Sequence, residues 1–342
     1  MKVIKHWLEK LLAKESLSHD EMTAMMQALM AGELTEAQAA ALIVALRAKG
    51  ETVEEIAAAA SVMRALSQKV DTEDASVLVD TCGTGGDGQH TFNISTTVAF
   101  VVAAAGAKVA KHGGRSVTSS SGSADVLEAA GMNLAATPEQ TAASIREVGV
   151  GFLFAPAHHS AMKHVVGVRK ALGVRTLFNL LGPITNPAGV QRQVLGVFSN
   201  QWLEPMAQVL KTLGSQSVWV VHADDGLDEI SIATSTQVSA LGEDGQINCF
   251  SVSPEDVGYE RQSLATIKAS TKEESLAMMH RVFDNEAGPW RDIVCLNAGA
   301  ALLVAGLVSS FVEGVRLAET TLATGAARAK FAQAIAYSQA QG

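Results

Sequence analysis

The chain has 342 residues, a formal net charge of -9 and a pI near 5.5. That length buries roughly three quarters of the unfolded surface, enough for one large domain with a smaller partner. The acidic balance argues against a nucleic-acid partner, because phosphate-backbone contacts need concentrated Lys and Arg; a small phosphorylated substrate needs only a few local cations.

The N-terminal MKVIKHWLEKLLAKESLS is charged throughout and lacks the apolar core of a signal peptide. Short amphipathic helices follow. LSHDEMTAMMQALMAG opens with Ser18 as cap and stops at Gly32; LTEAQAAALIVALRAKG runs from Thr35 to Gly50; TVEEIAAAASVMRALS starts at Thr52. Each has a hydroxyl cap and an acidic first turn, and no strand signal interrupts them, so residues 1–73 read as a small all-helical unit.

At residue 76 the texture changes. SVLVD (76–80) predicts a strand, TTVAFVVAAAGAKVAKHG (96–113) a helix leading through Gly106 into a buried strand, and DVLEAAGM and TPEQTAASIREVG two further helices. Strands are expected at 150–156, 194–198, 217–223 and 237–241. The stretch 169–189 reads as helical up to Leu181, then is broken by Gly182, Pro183 and Pro187, and about 170–190 is expected to rejoin the helical unit. Apolar strands alternating with helices imply an α/β domain over 74–342, with a mostly parallel sheet covered by helices. IVCLNAGAALLVAGLVSS (293–310) is the most apolar segment, but its Asn297 and its many Ala and Gly residues fit a helix buried against a sheet. Cys82, Cys249 and Cys295 lie far apart without metal spacing, as in a reduced cytosolic protein. A soluble, cytoplasmic chain without membrane association is expected.

VDTCGTGGDGQHTFNIST (79–96) sets a glycine run directly after the first strand. Glycines adopt positive φ and bare their N–H groups, so consecutive amides form a nest for an anion, and Asn93, Ser95 and Thr96 then open a helix whose N-terminus favours phosphate. The spacing is neither GxGxxG nor a P-loop. KHGGRSVTSSSGSAD (111–125) repeats the logic: Lys111, His112 and Arg115 bring positive charge, Gly113 and Gly114 bare backbone, and Ser119 to Ser123 hydroxyls. HADDGLDEIS (222–231) crowds four carboxylates. A divalent cation bridging to phosphates would relieve them, with Asp228 and Glu229 as ligands and Asp224 and Asp225 left at the surface. In FAPAHHSAMKHVVGVRKALGVRT (154–176), Arg169 suits a carboxylate partner.

DTCGTGGDGQHTFNIST, KHGGRSVTSSSGSADVLEAAG, the FAPAHHSAMKHVVGVRKALGVRTLFNLLGPITNP stretch, GLDEIS and GPWRDIVCLNAGAAL together resemble the anthranilate phosphoribosyltransferase family, in family order across most of 79–303. The resemblance implies transfer of phosphoribose from phosphoribosyl pyrophosphate to anthranilate. It implies donor contacts from Gly83, Gly86, Asp87, Thr91, Asn93, Ser95, Thr96, Lys111 and Ser123. Acceptor contacts fall to Gly83, His112, Gly114, His159 and Arg169. Two magnesium ions per protomer are implied, held by Asp228 and Glu229 with Ser95 near one of them. So are a homodimer through the helical unit and association with anthranilate synthase subunits. The chain departs from the family pattern at KHGGR, where Gly114 stands for an asparagine that helps seat the acceptor, and at Ser120, where lysine or arginine is common. A pyrimidine nucleoside phosphorylase of the same fold is the rival, and its base-recognition motif and lone phosphate site are the features that would separate it.

Overall fold

The computed structural model describes residues 2–115 and 121–341. Four helices open the chain: α1 (Lys2–Leu12), α2 (His19–Ala31), α3 (Glu36–Lys49) and α4 (Val53–Leu66). The last three begin with reciprocal capping boxes, Ser18 with Glu21, Thr35 with Gln38 and Thr52 with Glu55, which satisfy two otherwise orphaned N–H groups at each start. Helix α1 has no such cap to mark it in the sequence; burial of Trp7 and Leu11 holds it.

Glu55 does more than cap. Its carboxylate is buried and accepts the N–H groups of Leu17 (2.9 Å) and Thr52 (2.8 Å) and the ammonium of the equally buried Lys49 (2.8 Å). Removing the charge leaves the desolvated Lys49 ammonium without its counter-charge, held only by the Gly50 carbonyl (2.6 Å) and Ser16 Oγ (3.3 Å). Glu55→Gln is therefore expected to destabilise the chain by about 3 kcal/mol in reversible chemical denaturation.

The α/β part begins with β1 (Leu78–Gly83), α5 (Ile94–Ala104), β2 (Lys108–Gly113), α6 (Ser123–Ala129), α7 (Pro138–Glu147) and β3 (Val150–Phe154). An excursion of α8 (Ala155–His158), α9 (Lys163–Leu172) and α10 (Leu177–Leu181) precedes β4 (Arg192–Gly196), α11 (Leu203–Thr212) and β5 (Ser217–Ala223). The chain closes with β6 (Thr236–Leu241), β7 (Ile247–Val252), α12 (Lys272–Phe283), α13 (Pro289–Val304), α14 (Phe311–Ala323) and α15 (Ala326–Ala340).

The described strands form one sheet in the order β3-β2-β1-β4-β5-β6-β7. β1 to β5 run parallel, and β6 and β7 add an antiparallel edge. Alternate residues feed two cores. Val194, Trp219 and Val221 face α5 and α12 to α15, whereas Leu195, Val197, Val218 and Val220 face α11 and the N-terminal helices. Val165, Val168, Leu177, Phe178, Leu181 and Ile184 of the excursion share this second core.

Three expectations need correction. β1 does not stop at Asp80 but pairs onward through Thr81, Cys82 and Gly83 with Val194, Leu195 and Gly196. The helix expected up to Leu181 breaks at Gly173, whose φ of 63° is left-handed, and restarts after Thr176. β7 went unmarked because four of its six residues are exposed, so it lacks an apolar face to alternate.

Candidate active site

The strand order reverses direction between β1 and β4, and the clefts at such switch points in open α/β sheets bind ligands beyond the carboxyl ends of the strands. The glycine loop leaves β1 there. Gly85, Gly86 and Gly88 have φ of 65°, 75° and 75°, a left-handed run that only glycine adopts cheaply. The N–H of Gly85 donates to Asp228 Oδ2 (2.7 Å). Those of Gly86, Asp87 and Gly88 find no acceptor among the described residues. Three amides thus remain for an anion.

Opposite them, the turn after β5 carries Asp228 and Glu229, and Glu229 Oε1 accepts the N–H of Ser95 in the first turn of α5 (3.1 Å). The turn is fixed from below. Buried Asn297 of α13 donates to the Ile230 carbonyl (2.9 Å) and accepts the Ile230 N–H (2.8 Å). Asp225 accepts Ser231 Oγ (2.6 Å) and the Leu227 N–H (3.1 Å), so it is a structural anchor rather than the surface residue expected; Asp224 is exposed. Close approach of this turn to the sheet demands two glycines in register. A Cβ on Gly83 would lie 2.4 Å from Asp228 Oδ2, and one on its partner Gly196 would lie 1.6 Å from the Asp228 carbonyl oxygen.

Burial, followed by the charge of Asp87, pushes the Asp228 carboxyl above the usual carboxylate range, and burial plus the charge of Asp228 does the same to Glu229. Lys111 offsets part of this at Glu229. Among the described residues, no three His, Cys, Asp or Glu side chains cluster as a self-sufficient metal cage. Two crowded carboxylates facing free amides fit magnesium, which keeps its waters and shares its shell with substrate phosphates.

Strand β2 contributes Lys111, buried, with Nζ donating to the Thr81 carbonyl (2.6 Å) and 3.5 Å from Ser95 Oγ. Arg115 does not join it. Its guanidinium is committed to Asp125 (3.0 Å) and Glu128 (2.8 Å). Nor does His112 add charge, because burial and the neighbouring His159 and His158 hold it well below its ordinary pKa. Ser119 and Ser120 lie outside the described residues. Ser123 opens α6 with Oγ 3.4 Å from the Gly114 carbonyl. Asn93 ties the serine loop to α12: its Oδ1 accepts Ser275 Oγ (2.7 Å) and Ser121 Oγ (3.2 Å). Thr96 is buried within the first turn of α5, and Thr91 pairs with Lys268 in an isolated bridge.

His112 and His159 pack with ring centroids 5.1 Å apart and planes tilted by 60°. Each ring faces a backbone carbonyl, Gly182 and Thr185 respectively, that favours its charged form, and each has a buried Nε2 without a partner among the described residues. Burial lowers His159 to a pKa of about 4. An apolar notch of Met30, Met63, Leu66, Ala161 and Met162 ends at His159. Arg169 lies mostly buried over the Phe178 ring (5.3 Å), and no carboxylate pairs with it among the described residues. His158 instead bonds the Gln68 carbonyl (2.9 Å), and Lys163 and His164 are exposed, so these three serve structure or solvent.

The family model described as glycosyl transferase family, a/b domain, matches residues 75–328, and that described as glycosyl transferase family, helical bundle domain, matches residues 5–67. The anthranilate phosphoribosyltransferase of Hydrogenovibrio crunogenus is 57% identical over 332 residues, 97% of either chain. The chain belongs to the anthranilate phosphoribosyltransferase family. The crystal structure of the family's enzyme from Thermus thermophilus matches with a TM-score of 0.92 at 44% identity, covering 97% of this chain and 99% of that one. The Saccharomyces cerevisiae enzyme, solved in complex with PRPP and Mg, matches with a TM-score of 0.88 at 27% identity over 98% of both chains. No helix among the described residues is long and apolar enough to cross a membrane.

Gly196, Asn297 and Ser275 support the site without having been singled out for it. Only Asn297 gave a signal, an amide inside the most apolar segment of the chain. Asn186, in the GPITNP stretch, is a fourth: its Nδ2 bridges the buried Asp80 carboxylate and the Ala110 carbonyl, both at 2.8 Å, locking β1 to β2.

Proposed function

We infer that the chain transfers the 5-phosphoribosyl group of phosphoribosyl pyrophosphate to the amino group of anthranilate, giving N-(5-phosphoribosyl)anthranilate and pyrophosphate. The observation that carries this reading is the nest of unpartnered amides at Gly86 to Gly88 facing the Asp228–Glu229 pair, in a member of this family.

On the donor side, the loop amides at Gly86 and Asp87, the hydroxyls of Ser95, Thr96, Thr91 and Ser123, the Asn93 amide and the Lys111 ammonium receive the pyrophosphate and the ribose phosphate. Asp228 and Glu229, with the Ser95 hydroxyl beside them, hold magnesium, two ions per protomer. Bound magnesium neutralises charge on the departing pyrophosphate. The chain's own share is positional and electrostatic: preorganised N–H groups and Lys111 meet negative charge as the C1–O bond breaks and the electron pair leaves with pyrophosphate.

On the acceptor side, Arg169 is a cation without an ion-pair partner among the described residues and suits the anthranilate carboxylate, and Gly83, Gly114, His112 and His159 line the approach. An aromatic amine is neutral near pH 7 and attacks C1 without prior deprotonation. The anilinium formed on attack is acidic and loses its proton to water or to the departing pyrophosphate, while burial holds His112 and His159 neutral.

The same reading divides the chain into a helical unit of residues 1–73 with about 170–190, and a donor-binding unit of 74–342. A homodimer through the helical unit would cover Val3 and Leu12 of α1 and Val44 of α3, which are exposed on helices packed against each other. A cytoplasmic location follows the composition. Association with anthranilate synthase subunits rests on the resemblance alone.

The test follows anthranilate fluorescence with phosphoribosyl pyrophosphate and magnesium, with and without EDTA. Magnesium-dependent loss of signal with stoichiometric pyrophosphate is the expected result; an unchanged signal from folded, donor-binding protein would redirect the search to other amines or bases. Gly114→Asn is expected to lower the anthranilate KM by roughly 2–10-fold, the worth of one hydrogen bond. Among the described residues the backbone has room for it, since the nearest atom to a Cβ there is Ala155 Cβ at 3.9 Å. Initial rates against anthranilate concentration decide it.

A further inference from the structure

The proposed donor site leaves one cation on the loop's outer side unexplained. Arg175 follows the left-handed Gly173, in the link from α9 to α10, and forms no ion pair among the described residues. Its guanidinium donates to the Gly86 carbonyl and lies 4.5 Å over the Phe198 ring. Its own carbonyl is held by Arg47 of α3 (2.8 Å). Phe198 is tied to the same loop, since its N–H donates to Thr84 Oγ1 (3.0 Å). Helix α3, Arg175, Phe198 and the glycine loop therefore form one closed frame.

The physical consequence lies in one peptide unit. In a trans peptide the carbonyl and the following N–H point in opposite directions, and no peptide in the described chain is cis. Drawing the Gly86 carbonyl toward Arg175 aims the Asp87 N–H to the other side of the loop, and that N–H is among the amides left without an acceptor. Gly86, at a φ of 75° and without a Cβ, leaves the rotation on the N-terminal side of this peptide free of side-chain restraint. We propose that Arg175 is a positioning residue that fixes the Gly86–Asp87 peptide, and through it the affinity for the pyrophosphate end of the donor. The proposal rests on the donor-site reading above and adds a strut from the helical unit to that site.

The experiment measures steady-state KM for each substrate at saturating magnesium, together with calorimetric binding of magnesium pyrophosphate in the absence of anthranilate. Arg175→Ala is expected to raise the donor KM and the pyrophosphate Kd about tenfold, the worth of one charge-assisted hydrogen bond, with the anthranilate KM within twofold. Arg175→Lys, which keeps one donor, recovers most of the loss. Phe198→Leu keeps the cation but removes its support, and should weaken pyrophosphate about threefold; the double variant should be no worse than Arg175→Ala, as for two members of one path. An unchanged pyrophosphate Kd in Arg175→Ala overturns the proposal. So does a silent Phe198→Leu, which would mark a bare charge contact, or an equal rise in both KM values with a lower Tm, which would mark general loosening. Because pyrophosphate binding needs no acceptor, it decides the role of Arg175 even if anthranilate is not consumed, an outcome that counts against the function alone.

Discussion

Gly196→Ala is expected to cut kcat/KM by about a hundredfold or more, although the residue touches neither substrate in the proposed reaction. Its Cβ would stand 1.6 Å from the carbonyl oxygen and 2.5 Å from the carbonyl carbon of Asp228, which are backbone atoms and cannot rotate away. The turn cannot retreat cheaply either, with Asn297 bonded to both polar atoms of Ile230 and Ser231 bonded to Asp225 and Thr236. Overpacking of this kind costs about 1–3 kcal/mol, relieved by pushing Asp228 off Gly85 and Glu229 off Ser95. Near-normal rates in a folded Gly196→Ala protein would show that the placement of the acid pair is not needed. A fall in rate with only a modest drop in Tm is the predicted pattern.

Asp228→Asn and Glu229→Gln should each lower kcat/KM by about a hundredfold, or roughly 2.7 kcal/mol of transition-state stabilisation, and blunt the response to added magnesium. The same substitutions should stabilise the metal-free chain. Each carboxylate is disfavoured by burial and by its neighbours, Asp87 beside Asp228 and Asp228 beside Glu229, and each amide can still accept the N–H of Gly85 or Ser95. Removing one charge relieves that repulsion, and a Tm higher by about 2 °C in EDTA is expected. Loss of activity without this gain would mean that the acids are not under mutual strain; a gain in both would remove them from the chemistry.

Much of this site was legible because its chemistry is local. The glycine run, the start of α5 and the crowded acids are each contiguous, and each residue type is there for a reason its immediate neighbours reveal. What escaped depends on distant partners. Gly83 is a glycine because Asp228 lies against it, not because of its φ, so the strand was ended three residues early. In the sequence Arg115 reads as a site cation, because its partners, Asp125 and Glu128, become neighbours only when α6 folds back. His112 reads as a cation in the sequence because its burial beside His159 is set by β2 and the end of α8, far apart along the chain. Gly196 carries no local mark at all.

The bonds that frame the proposed donor site join residues very far apart along the chain, Gly85 to Asp228 across 143 positions and Ser95 to Glu229 across 134. Contacts of such separation form late, after the loop-closure entropy of everything between has been overcome. During synthesis the amide loop emerges long before the acids that face it, and the acids in turn before Asn297 that seats them. A nascent chain stalled before the turn after β5 carries the amide loop without the acids, and one stalled short of α13 carries both without the Asn297 that seats them. The proposed donor site is in this way completed only after α13 has been made.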